Sequence, residues 1–205
     1  MLFIFDFYAF FCVIKMMFIM KKIVVFASGS GTNAENIIKY FIENNSAKVV
    51  SVFTNNSKAM VVERAGKYEI GTEVFSKDEL IEGIVLQKIK SIDPDLIVLA
   101  GFLLKFPEAI IQAYPNKVIN IHPALLPKYG GKGMYGMNVH RAVVENKEPE
   151  TGITIHYVNE HYDEGGIIFQ KKVVVLGTDT AEVVAEKIHD LEQRFFPVVI
   201  ADLLK

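Results

Sequence analysis

Asn120 and His122 stand two residues apart at the end of the apolar run Lys117-Val118-Ile119-Asn120-Ile121, and the turn Pro123-Ala124-Leu125-Leu126-Pro127 follows. In an extended segment, residues i and i+2 point to the same side, so a carboxamide and an imidazole face one space. Asn is a fixed hydrogen-bond donor, whereas His can carry a proton near neutral pH. The two prolines and the apolar residues between them would hold both groups still. Such a pair suits an acyl group whose carbonyl oxygen becomes negative in the transition state. Taken alone, Asn-x-His reads first as the polar end of a strand capped by a loop.

Two further features widen the chemistry. Asp163 lies in the polar, glycine-ended loop Val158-Asn159-Glu160-His161-Tyr162-Asp163-Glu164-Gly165-Gly166. A carboxylate against His122 would favour the imidazolium and could relay protons, although a loop Asp is also an ordinary turn former. Ser28-Gly29-Ser30-Gly31-Thr32-Asn33 follows a first strand and opens a first helix. Glycines let the backbone approach closely, and the exposed amides of a helix start bind an anion such as phosphate. The run lacks the third glycine of G-x-G-x-x-G and the G-K-[ST] ending of a P-loop, so it suits one phosphate better than a dinucleotide. His156 reads as a buried hydrogen-bonding residue within a strand, and His140 and His161 as loop or helix-face residues. His189 and Glu192, three apart on the last helix, can share a face. No cluster has convincing metal-ligand spacing.

These groups must be positioned by the elements around them. Continuous β-branched runs alternate with helical spacing: strands at Lys22–Ala27, Lys48–Phe53, Glu73–Phe75, Asp95–Ala100 and Lys117–Ile121, with helices at Asn33–Asn44, Lys58–Tyr68, Pro107–Ala113 and Asn138–Asn146. Ser76-Lys77-Asp78-Glu79 has the capping-box form and opens a helix to about Lys90. Thr151–Val158 and Ile167–Leu176 are strand-rich and could run antiparallel to the rest. Thr180–Leu204 closes the chain as an amphipathic helix that Pro197 should bend or break. The pattern predicts an α/β fold: a mostly parallel, doubly wound, Rossmann-like sheet flanked by helices, with an antiparallel contribution near the C-terminal part. Ligands of such sheets bind beyond the carboxyl ends of the strands, where the strand order reverses. Ser28–Asn33, Gly101-Phe102-Leu103-Leu104 and Asn120-Ile121-His122 all fall at such ends and are read as one site.

Composition sets the limits. With 205 residues, 51% of them hydrophobic, the chain can bury the core of one domain. A net charge of -2 argues against nucleic acid as the main partner. One cysteine, Cys12, excludes an internal disulfide framework. Residues 1–20 are almost wholly apolar, with only Asp6 and Lys15 charged, and have neither the positive start nor the small-residue cleavage site of a signal peptide. The length would suit a membrane helix. Lys21 and Lys22 open the first core strand at once, however, and Met20-Lys21-Lys22 looks like an ordinary bacterial start. Residues 1–20 are therefore expected to be an extension from a misassigned start or a disordered leader, ahead of a domain at 21–205, with a membrane anchor the lesser expectation.

Residues 21–204 resemble phosphoribosylglycinamide formyltransferases, through KKIVVFASGSGTN, DLIVLAGF, VINIHPALLPKYGG and TGITIHYVNEHYDEGGIIFQ in that order. The resemblance implies the formyltransferase fold and a cytoplasmic monomer or homodimer. It implies a metal-free transfer of the formyl group of 10-formyltetrahydrofolate to the amine of glycinamide ribonucleotide. It casts Asn120, His122 and Asp163 as the catalytic trio, with Gly31, Thr32 and Asn33 on the substrate phosphate. Gly101, Pro123 and Glu192 are implied as further ribonucleotide contacts. Lys77, Leu103, Leu104, Lys105, Phe106, Val158 and again Asn120 are implied on the folate side.

The chain departs from the family pattern in places. Leu104 stands where many members carry a basic residue, and Glu164 replaces a glycine often found after the aspartate. Gly130–Met137 forms a longer loop whose glycines would suit a lid. The rival expectations are a formyltetrahydrofolate deformylase, a tRNA formyltransferase and a noncatalytic nucleotide- or folate-binding module. The first two share Asn-x-His-Pro but are expected to carry additional domains.

Overall fold

The structure is a computed structural model and describes residues 20–205; the reading of residues 1–20 as an extension thus lies, except for Met20, outside the described residues. Seven strands form one sheet in the order β3-β2-β1-β4-β5-β6-β7. They are β1 (Lys21–Phe26), β2 (Ala47–Thr54), β3 (Thr72–Val74), β4 (Leu96–Leu99), β5 (Val118–His122), β6 (Glu150–Tyr157) and β7 (Ile167–Val174). The first five are parallel, while β6 pairs antiparallel with β5 and β7 with β6. The chain winds outward from β1 through β2 to β3, then returns to the other side of β1 for β4. The strand order therefore reverses between β1 and β4, and the loops leaving these two strands diverge to open a crevice.

The helices are α1 (Thr32–Asn44), α2 (Met60–Gly66), α3 (Lys77–Ile81), α4 (Ile84–Ile92), α5 (Glu108–Ala113), α6 (Met137–Glu145) and α7 (Ala181–Leu203). Alternate residues of β1, together with Ala27 just beyond it, feed two separate cores. Ile23, Val25 and Ala27 pack with α1, α2, α6 and α7 on one face, and Val24 and Phe26 pack with α3, α4 and α5 on the other. Burial on both faces is what makes β1 a continuous apolar run.

Two expectations are corrected. The helix predicted from Ser76 to about Lys90 is two helices. Its capping box forms, with Ser76 and Glu79 bonded reciprocally, but Gly83 adopts φ 88° and stops the first turn, so that α4 starts afresh at Ile84. Pro197 does not break the last helix, which runs through it from Ala181 to Leu203. Proline cannot donate to the carbonyl four residues earlier, that of Gln193. Asn36 Nδ2 on α1 donates to that carbonyl instead, at 2.7 Å. A neighbouring helix thus satisfies the acceptor that proline leaves open.

Candidate active site

At the carboxyl edge of the sheet lies a cavity of about 770 Å³. Gly31, Thr32, Asn33, Gly101, Leu103, Leu104, Lys105, Phe106, Asn120, His122, Pro123, Val158, Asp163 and Glu192 all line it. Lys77 does not: it is exposed at the start of α3, beyond the far edge strand β3.

The anion loop is shaped by a backbone that only glycine adopts readily. Gly31 has φ 73°, and a Cβ there would fall 2.5 Å from the Val61 side chain. This bend turns the chain into α1, whose N-cap, Gly31, makes no side-chain cap, so the first-turn amides face the crevice. The side chain of Asn33 is committed elsewhere. Its Nδ2 donates to Glu192 Oε2 at 2.8 Å, and its Oδ1 accepts from Gln193 Nε2 at 2.8 Å. Both bonds tie the anion loop to α7. Ser28 Oγ accepts from the Leu103 amide at 3.0 Å and so fixes the start of the Leu103–Phe106 wall.

The strand β6 positions the other groups. Asn120 and His156 are cross-strand partners, as are His122 and Thr154. His156 Nδ1 lies 2.8 Å from the Tyr157 carbonyl, an acceptor only, so it carries the proton. Its Nε2, 3.1 Å from Asn120 Nδ2, then faces the amide that donates to it. Thr154 Oγ1 donates to the Ala124 carbonyl at 2.6 Å and accepts from the Leu126 amide at 3.0 Å. That pair of bonds pins the turn that follows His122.

His122 is buried between two acceptors. Its Nε2 donates to the Tyr129 carbonyl at 2.7 Å, and its Nδ1 faces Asp163 Oδ2 at 3.5 Å. Asp163 Oδ2 also accepts from the Gly131 amide at 2.8 Å, and Asp163 Oδ1 lies 3.6 Å from His156 Nε2. Burial pushes the His122 pKa below the ordinary imidazole value, while the Asp163 carboxylate and the Tyr129 carbonyl pull the other way without overcoming it. The contact between Asp163 and His122 is present, and of the two opposing influences on the ring, desolvation is stronger than the carboxylate. For Asp163 the balance reverses. Burial disfavours the carboxylate, but the neighbouring His156 and His122 rings and the Gly131 N–H outweigh it and hold its pKa below the usual carboxylate value. Asp163 itself sits at φ 57°, and the loop that carries it is packed so tightly that a Cβ at Gly165 would fall 1.7 Å from the Tyr157 carbonyl.

Sequence reasoning expected a buried hydrogen bond for His156 but not its partner, Asn120. It placed His140 and His161 on loops or helix faces, and weighed the His189–Glu192 pair as slightly suggestive of a site and otherwise ordinary; all three histidines line the cavity. The Tyr129 carbonyl and the Gly131 amide act through the backbone and carry no side-chain signal. Residues 131–136 of the long glycine loop also form part of the cavity wall. Among the described residues, no group of three or more His, Cys, Asp or Glu could hold a metal ion, and no helix is long and apolar enough to cross a membrane.

An uncapped helix start beside a carboxamide, an imidazole and a carboxylate, all above the switch point of a doubly wound sheet, is an arrangement suited to group transfer. Residues 21–200 match the formyl transferase family, and the chain belongs to it. A chloroplastic phosphoribosylglycinamide formyltransferase of Arabidopsis thaliana is 37% identical over 187 residues, which are 88% of this chain and 64% of the relative. The chain thus spans less than two thirds of that relative's length. The phosphoribosylglycinamide formyltransferase of Bacillus subtilis is 37% identical over 90% of this chain and 95% of its own. Among solved structures, glycinamide ribonucleotide transformylase 1 of Geobacillus kaustophilus superposes with a TM-score of 0.83 at 33% identity, covering 91% of this chain and all of that one.

Proposed function

We propose that this chain transfers the formyl group of 10-formyltetrahydrofolate to the amine of glycinamide ribonucleotide, the acceptor that its relatives' names specify. One observation carries this reading. Asn120, His122 and Asp163 converge in the same cavity as the uncapped start of α1, so a phosphorylated acceptor held there can reach them.

The acceptor phosphate sits on the backbone amides at Gly31–Asn33, and its amine points to Asn120 and His122. The folate lies along Leu103–Phe106 and Val158. The neutral amine attacks the formyl carbon, and the carbonyl electron pair moves to oxygen. The proton of the attacking nitrogen passes by way of Asp163 to the departing folate nitrogen as that carbon–nitrogen bond breaks. The Asn120 amide, one N–H of which is held by His156, offers the other to the oxyanion. Such a donor is typically worth about 2.7–4 kcal/mol of barrier. In the free protein, the His122 Nε2–H is taken up by Tyr129. Donating it to the oxyanion requires the ring to turn or the Tyr129–Gly131 backbone to shift, and apo catalytic contacts commonly tighten in this way on binding.

The test is a formyl-transfer assay with 10-formyltetrahydrofolate and either glycinamide ribonucleotide or water as acceptor. Formylated ribonucleotide supports the reading. Formate release without transfer replaces it with a deformylase.

A further inference from the structure

Tyr129 does not line the cavity, yet its carbonyl oxygen lies 2.7 Å from His122 Nε2. A bare ring nitrogen and a carbonyl oxygen repel each other at that distance, so the proton of the neutral ring is on Nε2. Asp163 Oδ2 stands 3.5 Å from Nδ1, longer than a normal hydrogen bond, and a bare Nδ1 is tolerated there. The Tyr129 carbonyl, rather than the carboxylate, thus decides which nitrogen carries the proton. The choice bears on the reaction, because Nε2–H is the donor that His122 would offer to the oxyanion.

That carbonyl is aimed by a strained residue. Tyr129 has φ 58°, a left-handed backbone uncommon for a bulky side chain, and such a conformation persists only where the surroundings over-determine it. The tyrosine side chain supplies the constraint. It packs against the core on the α7 face of the sheet, and its Oη donates to Glu148 Oε1 at 2.9 Å. Lys128 Nζ donates to both Glu148 oxygens, at 3.0 and 3.2 Å. The bonds from Lys128 and Tyr129 hold the Glu148 carboxyl below its ordinary pKa, so it is an ionised acceptor. Glu148 is itself fixed in the loop after α6. Its amide donates to the Val143 carbonyl and the Lys147 amide to the Val144 carbonyl, with Lys147 at φ 51°, the Schellman closure of a helix. Two residues beyond Tyr129, the Gly131 amide donates to Asp163 Oδ2. One braced segment therefore runs from Glu148, outside the cavity, to both His122 and Asp163.

We propose that Glu148 and Tyr129 are positioning residues for His122: Glu148 anchors the Tyr129 hydroxyl, the left-handed Tyr129 backbone presents its carbonyl to Nε2, and the ring keeps its proton on that nitrogen. The carbonyl is a placeholder acceptor, holding Nε2–H until the oxyanion, a charged and stronger acceptor, forms beside it. The effect of this clamp on turnover rests on the formyl-transfer reading of the site, whereas the position of the ring proton is measured without substrate.

The experiment records long-range proton–nitrogen NMR spectra of the His122 ring in the free protein, at a pH above its titration, beside steady-state formyl-transfer kinetics. Wild type should show a protonated Nε2 and a bare Nδ1. Tyr129→Phe and Glu148→Ala each remove the clamping bond without touching the cavity wall. Both should give a mixture of tautomers and lower kcat by ~10-fold, the loss of about one hydrogen bond, with KM for the acceptor little changed. Glu148→Gln keeps an acceptor for the tyrosine hydroxyl and should recover most of both. Lys128→Ala removes only an exposed ion pair and should leave the tautomer unchanged and kcat within about twofold of wild type. Should Glu148→Ala fail to fold, Tyr129→Phe, which loses one oxygen atom, decides the matter. A proton on Nδ1 in wild type, an unchanged tautomer in Tyr129→Phe, losses as large in Lys128→Ala, or a raised KM at constant kcat each overturn the proposal. If wild type formylates no ribonucleotide, the proposed activity fails, while the ring spectra still decide whether the clamp sets the proton.

Discussion

Asn120 and His156 face each other across β5 and β6, with the Asn120 amide nitrogen 3.1 Å from His156 Nε2. The antiparallel pairing that attaches β6 to the five parallel strands thereby orients a side chain of the proposed reaction centre. Without His156 the amide could rotate, and neither its nitrogen nor its oxygen would be assigned to the oxyanion. His156→Ala should therefore lower kcat by roughly 10- to 100-fold, somewhat less than deleting an oxyanion donor outright, with KM for the acceptor little changed. Steady-state kinetics on a variant checked for folding by circular dichroism decides this. A KM effect at constant kcat would place His156 in substrate binding instead.

His122→Ala and Asp163→Asn should each cut turnover by at least ~100-fold, the lower end for lost general acid–base catalysis. Single-turnover formyl transfer measures this free of product release, and near-normal rates in either variant would sink the mechanism.

The protonation of His122 carries its own expectation. Burial lowers its pKa and Asp163 raises it, with burial the stronger. The His122 resonance should therefore titrate in NMR with a midpoint below the ordinary histidine value, and Asp163→Asn should move that midpoint lower still. The linkage to stability has a definite sign. A histidine with a depressed folded pKa prefers to be neutral in the fold, so its contribution is whole above the unfolded value and declines as pH falls from there to the folded value. Asp163, also depressed, loses its contribution as pH falls through its own folded pKa. Both push the protein toward acid lability. A midpoint above the ordinary value for His122 would mean that Asp163 dominates after all.

The phosphate loop is tested at Gly31. Alanine there must hold φ near 73° and place a Cβ 2.5 Å from Val61, with backbone strain alone costing about 1–2 kcal/mol. Gly31→Ala should lower the thermal midpoint and raise the acceptor KM together, since the amides proposed to receive the phosphate move with the loop. Inorganic phosphate should stabilise wild type more than the variant in a thermal melt.

What the sequence made legible follows from local physics. The β-branched runs and the Ser76–Glu79 capping box announce parallel strands and a helix start without any tertiary knowledge. Asn120, His122 and the glycine turn lie at strand ends, so the sheet rule alone brings them together. The position of Gly83 as a helix stop was visible only as one glycine in an otherwise helical stretch. The contacts that decide chemistry were not local at all. His156 meets Asn120 through the register of β5 and β6, and His122 meets the Tyr129 carbonyl through a turn that Thr154 holds in place. Neither register nor backbone acceptors leave a side-chain trace. The depression of the His122 pKa has the same origin, because burial depends on everything packed around the ring.

Pro197 gives the most direct test of how one helix depends on another. Proline withholds a donor from the Gln193 carbonyl, and Asn36 supplies it from α1 at 2.7 Å. Asn36→Ala should cost about 1 kcal/mol, the loss of a part-buried hydrogen bond, measured by urea denaturation. In a Pro197→Ala background, residue 197 regains its N–H and can donate to Gln193 within the helix. The cost of Asn36→Ala should then fall well below its value in wild type, giving a coupling between the two sites of the order of 1 kcal/mol. Additive effects would show that Asn36 acts through packing alone. Because Asn33 and Gln193 are bonded in the same seam, Asn36→Ala should also raise the acceptor KM modestly, by loosening α7 against the phosphate loop.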